Sequence, residues 1–261
     1  MSGGVSYCQM TVPERDNGAR LVREQLDRRV DVHIDREHAG PWSSARRAWA
    51  ATPPDCAWRV LLQDDIELAP SFAVTIEYFL IRYARQIAQR PIMFYNGLRD
   101  EPAAGEHWIE RRDGVQGPVI AMPGKSVPHM LEWCDRYIRP DTTVRSSDIR
   151  PSLWLESFGM TALCPSPSWV QHKGNEPSVN GTKSTKSQPR TSPSYTGRPL
   201  GQYDWRRGLA RPGAVVGHPL GASSRVRFDL WRTWHDRPDH ELARLGLDPR
   251  IPAEWQNRSP A

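Results

Sequence analysis

The sequence predicts an α/β fold: a mixed, mostly parallel sheet flanked by helices, followed by a basic C-terminal extension. Three observations lead there. Strand-length runs at Val5–Met10, Val30–Ile34 and Trp58–Leu62 alternate with helical patterns. The third run carries Val60, Leu61 and Leu62 in succession, as expected of a strand buried on both faces. The order strand–helix–strand–helix–strand calls for right-handed crossovers in one doubly wound sheet.

The elements follow in order. After Val5–Met10 and the loop Thr11–Asn17, Leu21, Val22 and Leu26 mark the first helix. Val30, Val32 and Ile34 alternate in a second strand that stops at Asp35. Beyond Gly40-Pro41, residues Trp42, Ala45 and Trp49 share one helical face. Behind the third strand, Phe72, Ile76, Phe79, Leu80, Tyr83 and Ile87 form a stripe at helical period, read as core packing. Pro91–Tyr95 reads as a fourth strand, 96–113 as a polar loop and Val119–Met122 as another strand. Val127–Ile138 reads as a helix, and Ser146-Ser147-Asp148 as the start of the next.

Composition narrows the class. The 261 residues hold one α/β domain plus an appendage, divided here into a body, 1–180, and an extension, 181–261, packing back on it. Hydrophobic residues make up 38% and mean hydropathy is −0.65, low but sufficient for a core. No apolar run approaches the roughly 20 residues a bilayer span needs. MSGGVSY lacks the charged and apolar regions of a signal peptide. Cys8, Cys56, Cys134 and Cys164 are scattered, which argues against a zinc knot or a disulfide framework. The expected location is the cytoplasm. Residues 182–261 carry 14 Lys/Arg against 7 Asp/Glu, so 1–181 stand at −2 within a total of +5.

The third strand ends abruptly in Gln63-Asp64-Asp65. Ligands of open α/β sheets bind beyond the carboxyl ends of strands. Adjacent carboxylates there repel each other unless a cation joins them, and Mg²⁺ or Mn²⁺ commonly bridges such acids to a substrate diphosphate. The plainer reading is a solvated turn with helix-capping acids. On the same edge, Asp35 can accept hydrogen bonds from a ribose or base, or simply cap a helix. Arg15, Arg46 and Arg47 are placed to neutralise a diphosphate.

The run from an apolar strand through Gln63-Asp64-Asp65 resembles the DXD-type motif of GT-A glycosyltransferases, a Rossmann-like fold. Gln63 stands where that family often has an acid and is counted with the donor-binding residues. The resemblance implies that Asp65 binds the metal and that Asp64 contacts the ribose or the metal. The segment Thr161–Gly174 is similar to the Pro-Ser-x-Val-x-His stretch closing several GT-A catalytic domains, matched by Pro167, Ser168, Val170 and His172. It implies His172 as a further metal ligand; the segment that follows often orders over the donor in GT-A enzymes, which implies Lys173, Lys183 or Lys186 beside the diphosphate. Gly117-Pro118 loosely matches a sugar-pocket strand of lipopolysaccharide-type enzymes. By position, Asp148 is the implied general base, with Glu156 the alternative. The resemblance covers residues 3–180.

The expected activity is therefore metal-dependent transfer of a sugar from a nucleotide diphosphate sugar to a hydroxyl. Residues 182–228 hold nine Lys/Arg and one Asp with Trp and Tyr interleaved, a composition suited to phosphates and exposed bases. The acceptor hypotheses are a hydroxylated or hydroxymethylated base in bacteriophage DNA, flipped out of the duplex, or a protein or saccharide. A non-catalytic nucleic-acid-binding accessory protein is the competing class.

Overall fold

The apolar run Val60–Leu62 lies in β3 (Trp58–Leu62), a strand whose five residues are all buried. A computed structural model describes residues 4–87, 90–97, 107–111, 115, 117–138, 147–173 and 191–209. The alternation along β3 divides the core. Val60 and Leu62 join one hydrophobic cluster, with Tyr7, Val119 and Ala121. Leu61 joins another, with Cys8, Ile120 and Met122. A side-chain period of two, buried on both sides, produces a sheet sandwiched between helical layers.

The chain runs β1 (Val5–Thr11), α1 (Asp16–Leu26), β2 (Val30–Ile34), α2 (Pro41–Ala50), β3, β4 (Ile66–Leu68) and α3 (Phe72–Arg82). It continues through β5 (Ile92–Met93), β6 (Trp108–Arg111), β7 (Val119–Pro123), α4 (Ser126–Tyr137), α5 (Ile149–Ser157), β8 (Ala162–Pro165) and β9 (Val170–His172). Helices α1 and α3 contribute Val22, Leu26, Ile76 and Phe79 to the first cluster. Helices α2, α4 and α5 contribute Trp49, Trp133 and Trp154 to the second.

The sheet has seven strands in the order β2-β1-β3-β7-β5-β8-β6, and β4 pairs with β9 in a separate two-stranded sheet. Pairings of β1 with β2 and β3, and of β5 with β8, are parallel; β7 runs antiparallel to β3 and β5, and β6 antiparallel to β8. Five strands thus share a direction. The doubly wound expectation holds for β2-β1-β3, whereas β7 inserts antiparallel and brings its first residue, Val119, opposite Leu62. That register places the start of β7 at the same edge as the ends of β1, β2 and β3.

Several expected boundaries move, and the fourth strand shortens from Pro91–Tyr95 to Ile92–Met93. Helix α3 ends at Arg82, so Tyr83 and Ile87 follow in turns, although Tyr83 still packs on the core. The expected polar loop 96–113 contains an edge strand, β6, in which Trp108, Ile109 and Arg111 are buried. Its two apolar residues, followed by Glu110 and Arg111, are too few to set a period.

Residues 191–209 pack into the first cluster through Leu200, Trp205 and Leu209. Trp108 Nε1 donates to Trp205 O at 2.7 Å, and Leu200 N donates to Pro70 O at 3.1 Å. Ser168 bridges Tyr195 in strand-like fashion. The composition of Ser178–Arg198, rich in Ser, Thr, Lys and Pro, predicts mobility; its portion 191–198 is held by these contacts, while 178–190 falls outside the described residues, as do Phe228–Trp234 and Leu242–Leu247, whose sequence pattern is helical.

Candidate active site

The site gathers where β1, β3 and β7 meet the small β4–β9 sheet. At the end of β1, Thr11 Oγ1 donates to Asp64 Oδ2 at 2.8 Å. Arg15, in the turn between β1 and α1, places Nη1 at 3.3 Å from Asp64 Oδ1 and 3.0 Å from Asp65 Oδ2. One guanidinium nitrogen therefore serves both carboxylates. Gly18 in α1 lets the helix approach the acidic turn, since a Cβ there would lie 2.8 Å from Asp64 O.

Electrostatics follow from this crowding. Burial raises the pKa of Asp64 above its ordinary value, reinforced by the neighbouring Asp65 charge and opposed by Thr11 and Arg15. Burial also works against the Arg15 charge, but the two carboxylates outweigh it and hold its pKa above the usual range.

His172 reaches the same point from the far end of the chain. It closes β9 and pairs in register with Ile66. Its Nε2 lies 3.7 Å from Asp65 Oδ2, and the Tyr95 ring stands edge-on to the imidazole at 6.2 Å between centroids. Lys173 is anchored by its backbone, N donating to Asp65 O at 2.7 Å.

The third side of the site is built by β7 and α5. Gln63 Nε2 donates to Ser147 Oγ at 3.3 Å, and Gln63 N donates to Pro118 O at 3.0 Å. Asp148 precedes α5, and its Oδ2 accepts from Gly117 N at 3.3 Å. A Cβ on Gly117 would lie 2.9 Å from Gln63 Nε2 and 3.6 Å from the Asp148 Cβ. The glycine thus lets the amide and the carboxylate stand side by side at the strand end.

Arg15, Gln63, Asp64, Asp65, Asp148, His172 and Lys173 come together. Three other expected residues, Asp35, Arg46 and Arg47, do not join them. Asp35 lies at the same edge, its N bonded to Thr11 O, but its carboxylate is committed. Oδ1 accepts from Ala39 N and Arg47 Nη2, and Oδ2 from Gly40 N. Asp35 is 2% exposed and closes the loop into α2, with Arg47 as its counter-ion. Arg46 forms an exposed bidentate pair with Asp135 of α4 and so faces away from the acidic turn. Glu156 falls in the last turn of α5, about 12 Å along the axis from Asp148; its side chain lies outside the described residues. Thr11 and Gly18 were missed, and Ser147 was read only as part of a helix start; the signals were the end of β1 and the Ser-Ser-Asp run.

Among the described residues, no group of three His, Cys, Asp or Glu side chains is placed to hold a metal ion. Asp65 and His172 are the two that converge. Such a pair suits Mg²⁺ or Mn²⁺ where substrate phosphates complete the shell. The fit has a structural mark: Asp65 Oδ1 is buried and has no hydrogen-bond partner among the described residues, as a cation-ligating oxygen would be.

No protein-family model matches the chain, and no curated protein matches it. Among solved structures it is similar to A197 from STIV, at 12% identity and a TM-score of 0.39 over 68% of this chain and 92% of that one. It is also similar to a glycosyltransferase involved in the glycosylation of the major capsid of PBCV-1, at 14% identity and a TM-score of 0.24 over 50% and 68%. Likenesses of this size carry no functional argument, so the reading rests on the geometry.

Proposed function

We propose that the protein is a glycosyltransferase that moves a sugar from a nucleotide diphosphate sugar to a hydroxyl acceptor, with Mn²⁺ or Mg²⁺ as cofactor. The observation that carries this reading is the approach of His172 Nε2 to Asp65 Oδ2 at 3.7 Å, beside an Asp65 Oδ1 that is buried without a partner.

In this reading Asp65 and His172 would hold the cation, which would supply charge neutralisation for the leaving diphosphate. Asp64 is kept in place by Thr11 and orients Arg15. Arg15 and Lys173 supply positive charge to the diphosphate. Asp148, oriented by Gly117 N–H, accepts the acceptor hydroxyl proton as that oxygen attacks the anomeric carbon. Gln63 ties the acidic turn to the start of α5 and so fixes the spacing between donor and base.

The acceptor proposal is a hydroxylated base in DNA, supported by the charge of 182–228. Within its described part, Arg206 and Arg207 lie 2.7 and 3.9 Å from Asp204, which softens the positive field there. Release of nucleotide diphosphate from a panel of nucleotide sugars, with and without Mn²⁺, tests the enzyme. Metal-dependent release is expected; no release from any donor would sink it. Charge reversal across 182–228 tests the acceptor: lost DNA retention with intact donor hydrolysis is expected, and unchanged retention would exclude DNA.

A further inference from the structure

Arg15 occupies the position a divalent cation needs. Its Nη1 lies 3.0 Å from Asp65 Oδ2 and 3.3 Å from Asp64 Oδ1, and His172 Nε2 approaches that same Asp65 oxygen at 3.7 Å. The guanidinium thus neutralises the acidic pair from within. Two cations cannot share those oxygens without strong repulsion at such a range.

We infer that Arg15 is an internal counter-ion that must leave the carboxylates before a metal can be held, and that a diphosphate draws it off. This deepens the site reading proposed above and rests on it. Three observations favour a side chain that swings. Arg15 closes a short 3-10 helix (Pro13–Arg15) and stands at the N-cap of α1, in the connection between β1 and α1. Its side chain is 22% exposed, against 9% for Asp64, so it borders the open side of the site. Its long stem can re-aim without movement of β1 or α1.

A diphosphate offers the guanidinium a bidentate partner of higher charge than one carboxylate, and the same oxygens complete a metal shell. Donor and metal therefore bind as a pair. In the absence of diphosphate the guanidinium holds Asp64 Oδ1 and Asp65 Oδ2, and the site discriminates against free cations. By linkage, the factor by which a diphosphate tightens metal binding equals the factor by which metal tightens diphosphate binding.

The test measures free Mn²⁺ by electron paramagnetic resonance with the full chain, its Arg15→Ala variant and its Arg15→Lys variant. Each is titrated with Mn²⁺ alone and with Mn²⁺ plus UDP, GDP or ADP in turn, corrected for Mn²⁺–nucleotide complexes in buffer. Arg15→Ala is expected to bind Mn²⁺ alone about tenfold more tightly than the wild type and to lose most of the nucleotide-induced gain. Arg15→Lys, which keeps the charge, should bind Mn²⁺ alone as weakly as the wild type. Equal or weaker Mn²⁺ affinity in Arg15→Ala, with nucleotide-dependent binding intact in the wild type, overturns this inference alone. Absence of Mn²⁺ binding in all three, with every nucleotide, overturns the site reading as well. Circular dichroism confirms that each variant is folded.

Discussion

His172 stands opposite Ile66 across the antiparallel β4–β9 pair, and this register brings its imidazole within 3.7 Å of Asp65. The two-stranded sheet is small, but it is the device that joins an acid at the end of β3 to a histidine near the close of the body. A one-residue slip would turn His172 to the other face. The pair should therefore act as a unit.

Asp65→Asn and His172→Asn are each expected to lower metal-dependent donor turnover by about 10²–10³-fold. The double variant should lose little more than either single one, because residues acting on one cation are not additive. Both side chains border the open site, so each unfolding free energy should stay within roughly 1 kcal/mol of the wild type. Steady-state kinetics and urea denaturation read the two effects separately. Multiplicative losses in the double variant would show that the residues do not share a ligand.

Most of the sheet was legible because its signal is local. The alternation of Val30–Ile34, the apolar run in Trp58–Leu62 and the helical spacing of Trp42–Trp49 each form as read, and the helix expected over Val127–Ile138 forms over Ser126–Tyr137. What stayed hidden depends on pairing. β4 and β9 are three residues each, too short for a period, and exist through one another. The antiparallel entry of β7 has no mark in its own composition. At the site, Asp64, Asp65 and His172 were visible as chemistry, and Arg15 as charge. Asp35 looked free in sequence because its three donors are two backbone amides and an Arg of the following helix. Backbone donors leave no pattern to read.

Two glycines should separate function from stability. At Gly117 an added Cβ meets chiefly Gln63 Nε2 at 2.9 Å, the far end of a flexible side chain. Gly117→Ala should displace that amide from Ser147 at a stability cost below about 1 kcal/mol, while lowering turnover about tenfold or more through lost positioning. At Gly124 the Cβ would lie 2.0 Å from Cys56 O, which is backbone. Gly124→Ala should cost about 1–3 kcal/mol and leave the turnover of the folded fraction near normal. Paired kinetic and urea measurements check both; equal behaviour of the two variants would contradict the geometry.

Asp64 supplies a pH signature. Its folded-state pKa is raised by burial, so the native state holds its proton more tightly than the unfolded chain. Stability contributed by the protonated form is present below the ordinary carboxylate value of 3.8. It is lost as pH rises from there through the raised native value. Asp64→Asn abolishes that loss. The stability of the wild type relative to Asp64→Asn should fall with rising pH across the acid range, then level off. Urea midpoints from about pH 3.5 to 7 measure it; a difference that grows with pH would reverse the assignment.

Thiol chemistry gives an independent check on burial. All four cysteines are free, and Cys8, Cys134 and Cys164 are buried while Cys56 is half-buried. Burial pushes the Cys8 thiol up to about 12 and raises that of Cys134 likewise, so neither forms thiolate near neutral pH. Cys56 lies 2.9 Å from Ser6 Oγ. Under native conditions one thiol, that of Cys56, should react with a maleimide, and four should react in denaturant. Mass spectrometry of the labelled peptides decides; native labelling at Cys8 or Cys134 would mean the second cluster is open.

The segment 191–209 should behave as part of the core. Trp205 is 6% exposed, packs edge-on to Trp169 at 4.6 Å between centroids and donates through Nε1 to Leu200 O at 2.8 Å. Its own carbonyl accepts from Trp108 of β6. Removing the indole leaves a cavity among large aromatics that cannot collapse, so Trp205→Ala is expected to cost about 3–5 kcal/mol. Trp205→Phe keeps a ring but removes one of two donors to Leu200 O, which retains Tyr203 N–H, for a loss of about 0.5–1.5 kcal/mol. Trp169 N donates to Phe94 O and Ala69 N to Trp169 O, so the damage should spread toward β9. Mn²⁺-dependent donor turnover in Trp205→Ala should then fall at temperatures where the rest of the sheet is still folded. Urea denaturation with parallel activity measurements reads both, and a Trp205→Ala variant of wild-type stability would detach this segment from the body.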